Sequence, residues 1–204
     1  MRLFVIGATG HTGTEILDLA RAHGHQITAF VRSPHKLQSL DGVTVVKGDP
    51  MRPEALAAAM AGHDAVLSTI GPSPREAMRP STMMTDSGRA IVEAMTTSGV
   101  TRLVIASAAV LFPEKRLLYA FFRWFLRHHA RDLSAMEQIV RTSRLAWTIA
   151  RPPRLTGGHT VRYRAEANAM PRGARFSLTH RSVAAFMLEA IEHRSHVTEI
   201  VGLG

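Results

Sequence analysis

The chain has 204 residues, 46% of them hydrophobic, a size and composition that fit one compact domain with a sizeable core. It carries a formal net charge of +9 and no cysteine, which excludes disulfides, thiolate metal sites and a cysteine nucleophile and agrees with a cytoplasmic location. It opens directly on an apolar strand pattern and contains no uninterrupted apolar run of about 20 residues, so neither a secretion leader nor a membrane span is expected.

Leu3 to Ile6 is a short apolar run of the buried-strand kind, ending at Gly7. Glycines stand at 7, 10 and 13, and Thr14 to His23 then carries Ile16, Leu17, Leu19 and Ala20 at helical spacing, with Gly24 as the stop. Gln26 to Val31 reads as a second strand, Pro34 to Leu40 as a short helix, and Val43 to Val46 as a third strand running into Gly48-Asp49-Pro50. Pro53 opens a helix over Glu54 to Met60 that Gly62 closes, and Ala65 to Ile70 is a fourth strand ending at Gly71. Ser81 to Ser98 is a long helix stopped by Gly99, followed by a fifth strand, Leu103 to Ala106, that ends at Ser107. Asp132 to Thr142 is helical, and the sixth strand, Ala146 to Ala150, is broken by Arg151-Pro152-Pro153. Residues 155 to 180, with Gly157, Gly158, Pro171 and Gly173, form a loose C-terminal excursion on the substrate side. Thr179 caps a last helix through Ile191, and a short strand near Glu199 to Val201 follows.

Near-continuous apolar strands alternating with amphipathic helices predict an α/β fold: a doubly wound parallel sheet flanked by helices, in a single domain over residues 1–204. Ligands of such sheets bind at the carboxyl ends of the strands, so Gly7 to Gly13, Arg32, Asp49, Gly71, Ser107 and Pro152 are expected to converge on one rim. The G-x-x-G-x-x-G run lies between a strand and a helix, where unpaired amides and the helix dipole attract a diphosphate. Arg32 and Ser33 end the second strand, where an acid would select a free ribose 2′-hydroxyl. Arginine there suits a 2′-phosphate and favours NADP(H) over NAD(H).

The positive charge is scattered and is accompanied by no nucleic-acid-binding signature, so a solvated arginine-rich surface is expected and nucleic acid is not. No metal site is expected, since His128 and His129 are adjacent and point apart. The segment Glu114 to Arg131 mixes Leu118, Phe121, Phe122, Phe125 and Leu126 with basic residues. Its readings are an amphipathic helix packed on its own domain, a lid, a dimer contact, or a helix lying on an anionic membrane surface.

Gly-Ala-Thr-Gly-His-Thr-Gly at 7–13, Val31-Arg32-Ser33-Pro34-His35-Lys36-Leu37, Gly48-Asp49, Ser107-Ala108 and Trp147-Thr148-Ile149-Ala150-Arg151-Pro152-Pro153 together resemble the atypical short-chain dehydrogenase/reductases of the NmrA-like NAD(P)H-binding family. Within it the biliverdin IXβ reductase/flavin reductase type is most alike, over nearly the whole chain, which implies a Rossmann-like fold. The resemblance implies that Gly7, Thr9, Gly10, His11, Thr12 and Gly13 hold the diphosphate, and Arg32 and Ser33 the 2′-phosphate. It also implies that Asp49 takes the adenine amino group, Ile70 and Gly71 line the adenosine ribose, and Ser107, Pro152 and Pro153 lie beside the nicotinamide. Asp49 has a second reading as a cap for the helix after Pro50. The flavin reductase type carries a histidine where this chain has Arg154, which makes the acceptor side more cationic here.

The Tyr-x-x-x-Lys pair of the wider superfamily is absent: Tyr163 is followed four positions later by Ala167, and Tyr119 by Arg123. Ser107, Tyr119 and Arg123 mimic the spacing of a catalytic triplet, against the reading of Tyr119 within an amphipathic helix. The reaction implied is hydride delivery to a small-molecule acceptor that needs little proton chemistry from protein, such as a flavin, a quinone or a conjugated tetrapyrrole. Ser107 either polarises that acceptor as a catalytic residue or binds the nicotinamide ribose or carboxamide. The rival reading is a non-catalytic NADP(H) sensor of the NmrA type.

Overall fold

Along the first strand, β1 (Arg2–Ile6), Leu3 and Val5 pack into one hydrophobic core while Phe4 and Ile6 pack into another, all four without solvent exposure. This period-2 alternation puts a core on each face of the sheet. The computed structural model describes residues 1–37, 41–73, 75–112 and 126–204. The strands that follow are β2 (Gln26–Val31), β3 (Val43–Lys47), β4 (Ala65–Ser68), β5 (Arg102–Ala106), β6 (Ala146–Arg151), β7 (Arg154–Thr156), β8 (Ala165–Ala167), β9 (Ser177–Thr179) and β10 (Glu199–Leu203). The helices are α1 (His11–Ala22), α2 (Pro53–Met60), α3 (Met83–Ser98), α4 (Arg127–Thr142) and α5 (His180–Glu192).

The main sheet has the order β3-β2-β1-β4-β5-β6-β10-β8. Every neighbouring pair is parallel except β8, which runs antiparallel to β10. Residues of α1 and α5 fill one core, and residues of α2, α3 and α4 the other, which is the doubly wound arrangement the alternating pattern predicts. The strand order reverses between β1 and β4, so the chain leaves a crevice at the carboxyl end of β1.

The excursion after β6 is more ordered than its glycines and prolines suggest. Strands β7 and β9 pair in parallel, and β8 is the antiparallel edge of the main sheet. Three-residue strands carry too little periodicity to be read from sequence. The short helix expected from Pro34 is a 3₁₀ turn over Pro34–Lys36, and residues 38–40 lie outside the described residues. Helix α4 begins at Arg127, before the apolar stripe that first reveals it. Thr179 caps α5 as expected, its hydroxyl oxygen accepting from the Ser182 amide at 3.0 Å, and Gly99 ends α3 with φ +76°.

Two buried charges lock elements together. Asp132 of α4 caps α3 across space: its carboxylate accepts from the Met84 amide at 3.0 Å and the Thr85 amide at 2.9 Å. Arg102 of β5 donates to the Ala146 carbonyl and the Thr148 hydroxyl, both at 2.8 Å, and to the carbonyls of Ala190 (2.8 Å) and Ser195 (3.0 Å). Burial, helped by Arg194, lowers its pKa to about 10, so it stays cationic at neutral pH while tying β5 and β6 to the end of α5.

Candidate active site

The loop from β1 to α1 assigns its glycines different duties. Gly7 has φ +85°, and a Cβ there would sit 2.8 Å from the Thr69 carbonyl carbon, so the position demands both glycine's conformation and its size. At Gly13 a Cβ would meet the Gly7 carbonyl oxygen at 2.2 Å, because α1 packs directly on its own entry loop. Gly10 differs: its φ of −82° suits any residue, and a Cβ would meet only the Gly7 carbonyl oxygen, at 3.4 Å. Packing within the chain therefore does not require glycine at 10, and the missing Cβ leaves space outside the loop.

That space faces the N-terminus of α1, which has no side-chain cap and no acid in its first turn. Amides at His11, Thr12 and Gly13 precede the first intrahelical bond, from the Thr14 amide to the Gly10 carbonyl at 2.9 Å, and carry the positive end of the helix dipole. Thr12 Oγ1 shares a hydrogen bond of 2.8 Å with His180 Nδ1 at the start of α5, and the His11 and His180 rings lie 5.1 Å apart. Burial and the neighbouring His11 lower the pKa of His180, against the opposing pull of Glu15. Arg181 bonds Glu15 at 2.6 Å and closes α5 onto α1 beside the loop.

Arg32 and Ser33 follow at the end of β2, the arginine exposed and the serine half-buried. The loop after Gly71 approaches them. The Ser73 hydroxyl and amide hold the Glu76 carboxyl below its ordinary range, with Arg32 and Arg79 adding to the effect. Asp49, past β3, is exposed, and its carboxylate accepts from the Met51 amide at 3.0 Å. It closes the turn ahead of α2 rather than capping the helix, which starts only at Pro53. Ile70 packs partly into the core at the end of β4, and Gly71 is exposed with nothing near its Cβ direction.

At the ends of β5 and β6 the Ser107 amide donates to the Ala150 carbonyl at 2.7 Å and the Ala109 amide to the Pro152 carbonyl at 2.8 Å, so Ser107, Pro152 and Pro153 stand side by side. Beneath them lies a network that the sequence reading missed. The Ser107 hydroxyl donates to Glu137 Oε1 at 2.5 Å, while Arg151 donates from Nε to Oε1 at 2.9 Å and from Nη2 to Oε2 at 2.6 Å. The Arg151 guanidinium also lies 4.6 Å from the centre of the Phe112 ring. Glu137 is only 3% exposed, so a bidentate partner is what makes its burial affordable. A signal existed: Leu133, Met136, Glu137 and Val140 form one helical stripe, and an acid within an apolar stripe needs a buried partner.

The rim therefore brings together Gly7 to Gly13, Arg32, Ser33, Asp49, Ile70, Gly71, Ser107, Pro152 and Pro153, each at or just past the carboxyl end of a strand. Tyr163 is elsewhere: its hydroxyl donates to Glu189, its ring meets Phe186 edge-on, and burial with that bond pushes its pKa well up. It braces α5 and remains a phenol. Tyr119 and Arg123, with residues 113–125 of the aromatic and basic segment, lie outside the described residues. Among the described residues, no helix is long and apolar enough to cross a membrane. A cavity of about 300 Å³ between Arg141, Trp147 and Thr198 opens at the opposite, amino end of β6, away from this rim.

The family profile described as NAD(P)H-binding matches residues 7–194. The uncharacterized protein YwnB of Bacillus subtilis (strain 168) is 26% identical over 211 residues, covering 98% of this chain and 96% of YwnB. The NAD(P)H azoreductase of Xenophilus azovorans is 27% identical over 152 residues, covering 74% of this chain and 47% of the azoreductase. The solved structure of ChuY, an anaerobilin reductase from Escherichia coli O157:H7, superposes with a TM-score of 0.79 at 21% identity, covering 100% of this chain and 96% of ChuY, and shows the same fold.

Proposed function

The chain belongs to the NAD(P)H-binding family, and from that premise we propose that it is an NADP(H)-dependent reductase delivering a hydride to a conjugated small molecule of the flavin, quinone or tetrapyrrole kind. The observation that carries this reading is the uncapped N-terminus of α1, with a glycine at position 10 that internal packing does not need, on the same rim as the buried Ser107–Glu137–Arg151 network. The names of the azoreductase and of ChuY, both reductases, support it.

In this reading the amides and side chains of Gly7, Thr9, Gly10, His11, Thr12 and Gly13 hold the diphosphate. Arg32 and Ser33 hold the 2′-phosphate, Asp49 accepts from the adenine amino group, and Ile70 and Gly71 line the ribose. The bound coenzyme supplies the hydride. Ser107 points its hydrogen at Glu137, so its oxygen faces the site as an acceptor, suited to a carboxamide N–H or a ribose hydroxyl rather than to polarising a substrate carbonyl. Glu137 accepts from Ser107 and twice from Arg151, which fixes the serine rotamer without adding net charge to the site. Pro152 and Pro153 supply backbone and an apolar wall beside it. The proton that completes the reduction comes from water, which matches an acceptor whose reduced form is stabilised by conjugation.

Stopped-flow loss of NADPH absorbance with FMN, a benzoquinone and biliverdin tests the reading. Turnover with at least one supports it. Tight coenzyme binding with no turnover on any of the three overturns it in favour of a sensor. For the coenzyme itself, Arg32→Glu should weaken NADPH far more than NADH, and an equal loss for both would remove the 2′-phosphate assignment.

A further inference from the structure

At the edge of the sheet opposite the rim, α1 and α5 end side by side. The end of α1 is a tight left-handed turn: the His23 amide donates to the Leu19 carbonyl, the Gly24 amide to Arg21 and the His25 amide to Ala20, each at 3.0 Å, with Gly24 at φ +76°. This turn brings the rings of His23 and His25 to the same side, 6.3 Å apart and inclined by 53°. Both meet Glu192, the last residue of α5: His23 Nδ1 lies 2.8 Å and His25 Nε2 2.6 Å from the same oxygen, Oε1. The Met1 nitrogen lies 3.3 Å from His25 Nδ1, on the far side of that ring.

We propose that His23 Nδ1, His25 Nε2 and a Glu192 carboxylate oxygen form a binding site for a zinc-like divalent transition-metal ion. Two imidazole nitrogens and one carboxylate oxygen are a three-ligand set that zinc accepts, with water completing a tetrahedron. The three ligand atoms lie within 4.8 Å of one another, and tetrahedral bonds of about 2.0–2.1 Å separate neighbouring donors by roughly 3.3 Å. Entry of the ion thus requires the rings to withdraw from Glu192 by about half an ångström, and each ring then carries its single proton on its other nitrogen, so the Met1 ammonium must turn away from His25 Nδ1. His23 is 46% exposed at the side chain and His25 only 10%, which leaves the fourth position open to water on the His23 side. The backbone around Gly24 is committed by its three hydrogen bonds, so two ligands are preorganised before the ion arrives. The site would clamp the C-terminal ends of α1 and α5, and it is independent of the coenzyme reading.

The test is Zn²⁺ titration of the full chain against a competing chelator, with Co²⁺ as the spectroscopic probe. One Zn²⁺ per chain is expected, with affinity at least tenfold lower in His25→Ala and Glu192→Gln, a melting temperature raised by Zn²⁺ in the parent only, and the intense visible bands of four-coordinate Co²⁺. His11→Asn, which alters the His11–His180 ring pair, should leave Zn²⁺ affinity unchanged. Should either buried-side variant fail to fold, His23→Ala at the exposed ring gives the same readout. No bound Zn²⁺ in the parent, or equal binding by the parent and the His23, His25 and Glu192 variants, overturns the proposal.

Discussion

Thr12 at the first turn of α1 and His180 at the first residue of α5, separated by 168 positions, share a hydrogen bond of 2.8 Å. Two helix N-termini are thereby stitched together beside the proposed diphosphate site, and the stitch is titratable. Burial and His11 place the His180 pKa below its ordinary 6.5, despite Glu15. Between that lowered value and about 6.5 the unfolded chain binds more protons than the folded one, so stability falls as pH drops through the interval and is retained above it. His180→Gln should cost about 1 kcal/mol at pH 7 from the lost bond yet flatten the decline below about pH 6.5. Thermal unfolding followed across this range checks it; a parallel decline in both proteins would contradict it.

Gly10 and Gly13 should separate folding from binding. Gly13→Ala drives a methyl into the Gly7 carbonyl and should cost about 3 kcal/mol or prevent folding. Gly10→Ala should change stability by no more than about 0.5 kcal/mol, while lowering NADPH affinity about tenfold or more because the methyl occupies the diphosphate approach. Urea melts and calorimetric titration with NADPH distinguish the two.

Removing one side of the Glu137–Arg151 fork strands a buried charge. Arg151→Met should destabilise by about 3 kcal/mol, and the double variant with Glu137→Gln should recover part of that loss, giving a non-additive cycle of about 1–3 kcal/mol. Ser107→Ala should cost about 1–2 kcal/mol in urea, less than Arg151→Met, because Glu137 loses one of its three donors but keeps the arginine fork, and it should also weaken coenzyme binding by about 1 kcal/mol through the acceptor lost from the site.

Arg102→Met removes the shared donor of four carbonyls and one hydroxyl across β5, β6 and the end of α5, and should cost about 2–4 kcal/mol. Arg102→Lys restores charge but not the planar fork and should recover less than half of the loss in the same urea melt.

The rim was legible in the sequence to an unusual depth because its parts are local. A strand followed by spaced glycines, an arginine in place of an acid after the second strand, and prolines after the sixth each sit within a few residues of a strand end, and the doubly wound fold carries the carboxyl ends of the parallel strands to one edge. What was not legible depends on chain crossings. Glu137 and Arg151 read separately as a helix residue and a strand breaker; only the packing of α4 against β6 turns them into a fork under Ser107. Asp132 capping α3 and the His23–His25–Glu192 cluster are of the same kind, since each joins residues whose separation along the chain conveys nothing about distance.

Sequence by itself determined the alternation of strands and helices, the two apolar faces of β1 and the loop that turns into α1, because hydrophobic periodicity and glycine conformation act over a few residues. Tertiary structure alone decided which buried charges meet, how three-residue strands extend the sheet, and which of the glycines the chain itself requires. Those outcomes depend on the free energy of bringing remote polar groups together out of water, a quantity that no local pattern contains.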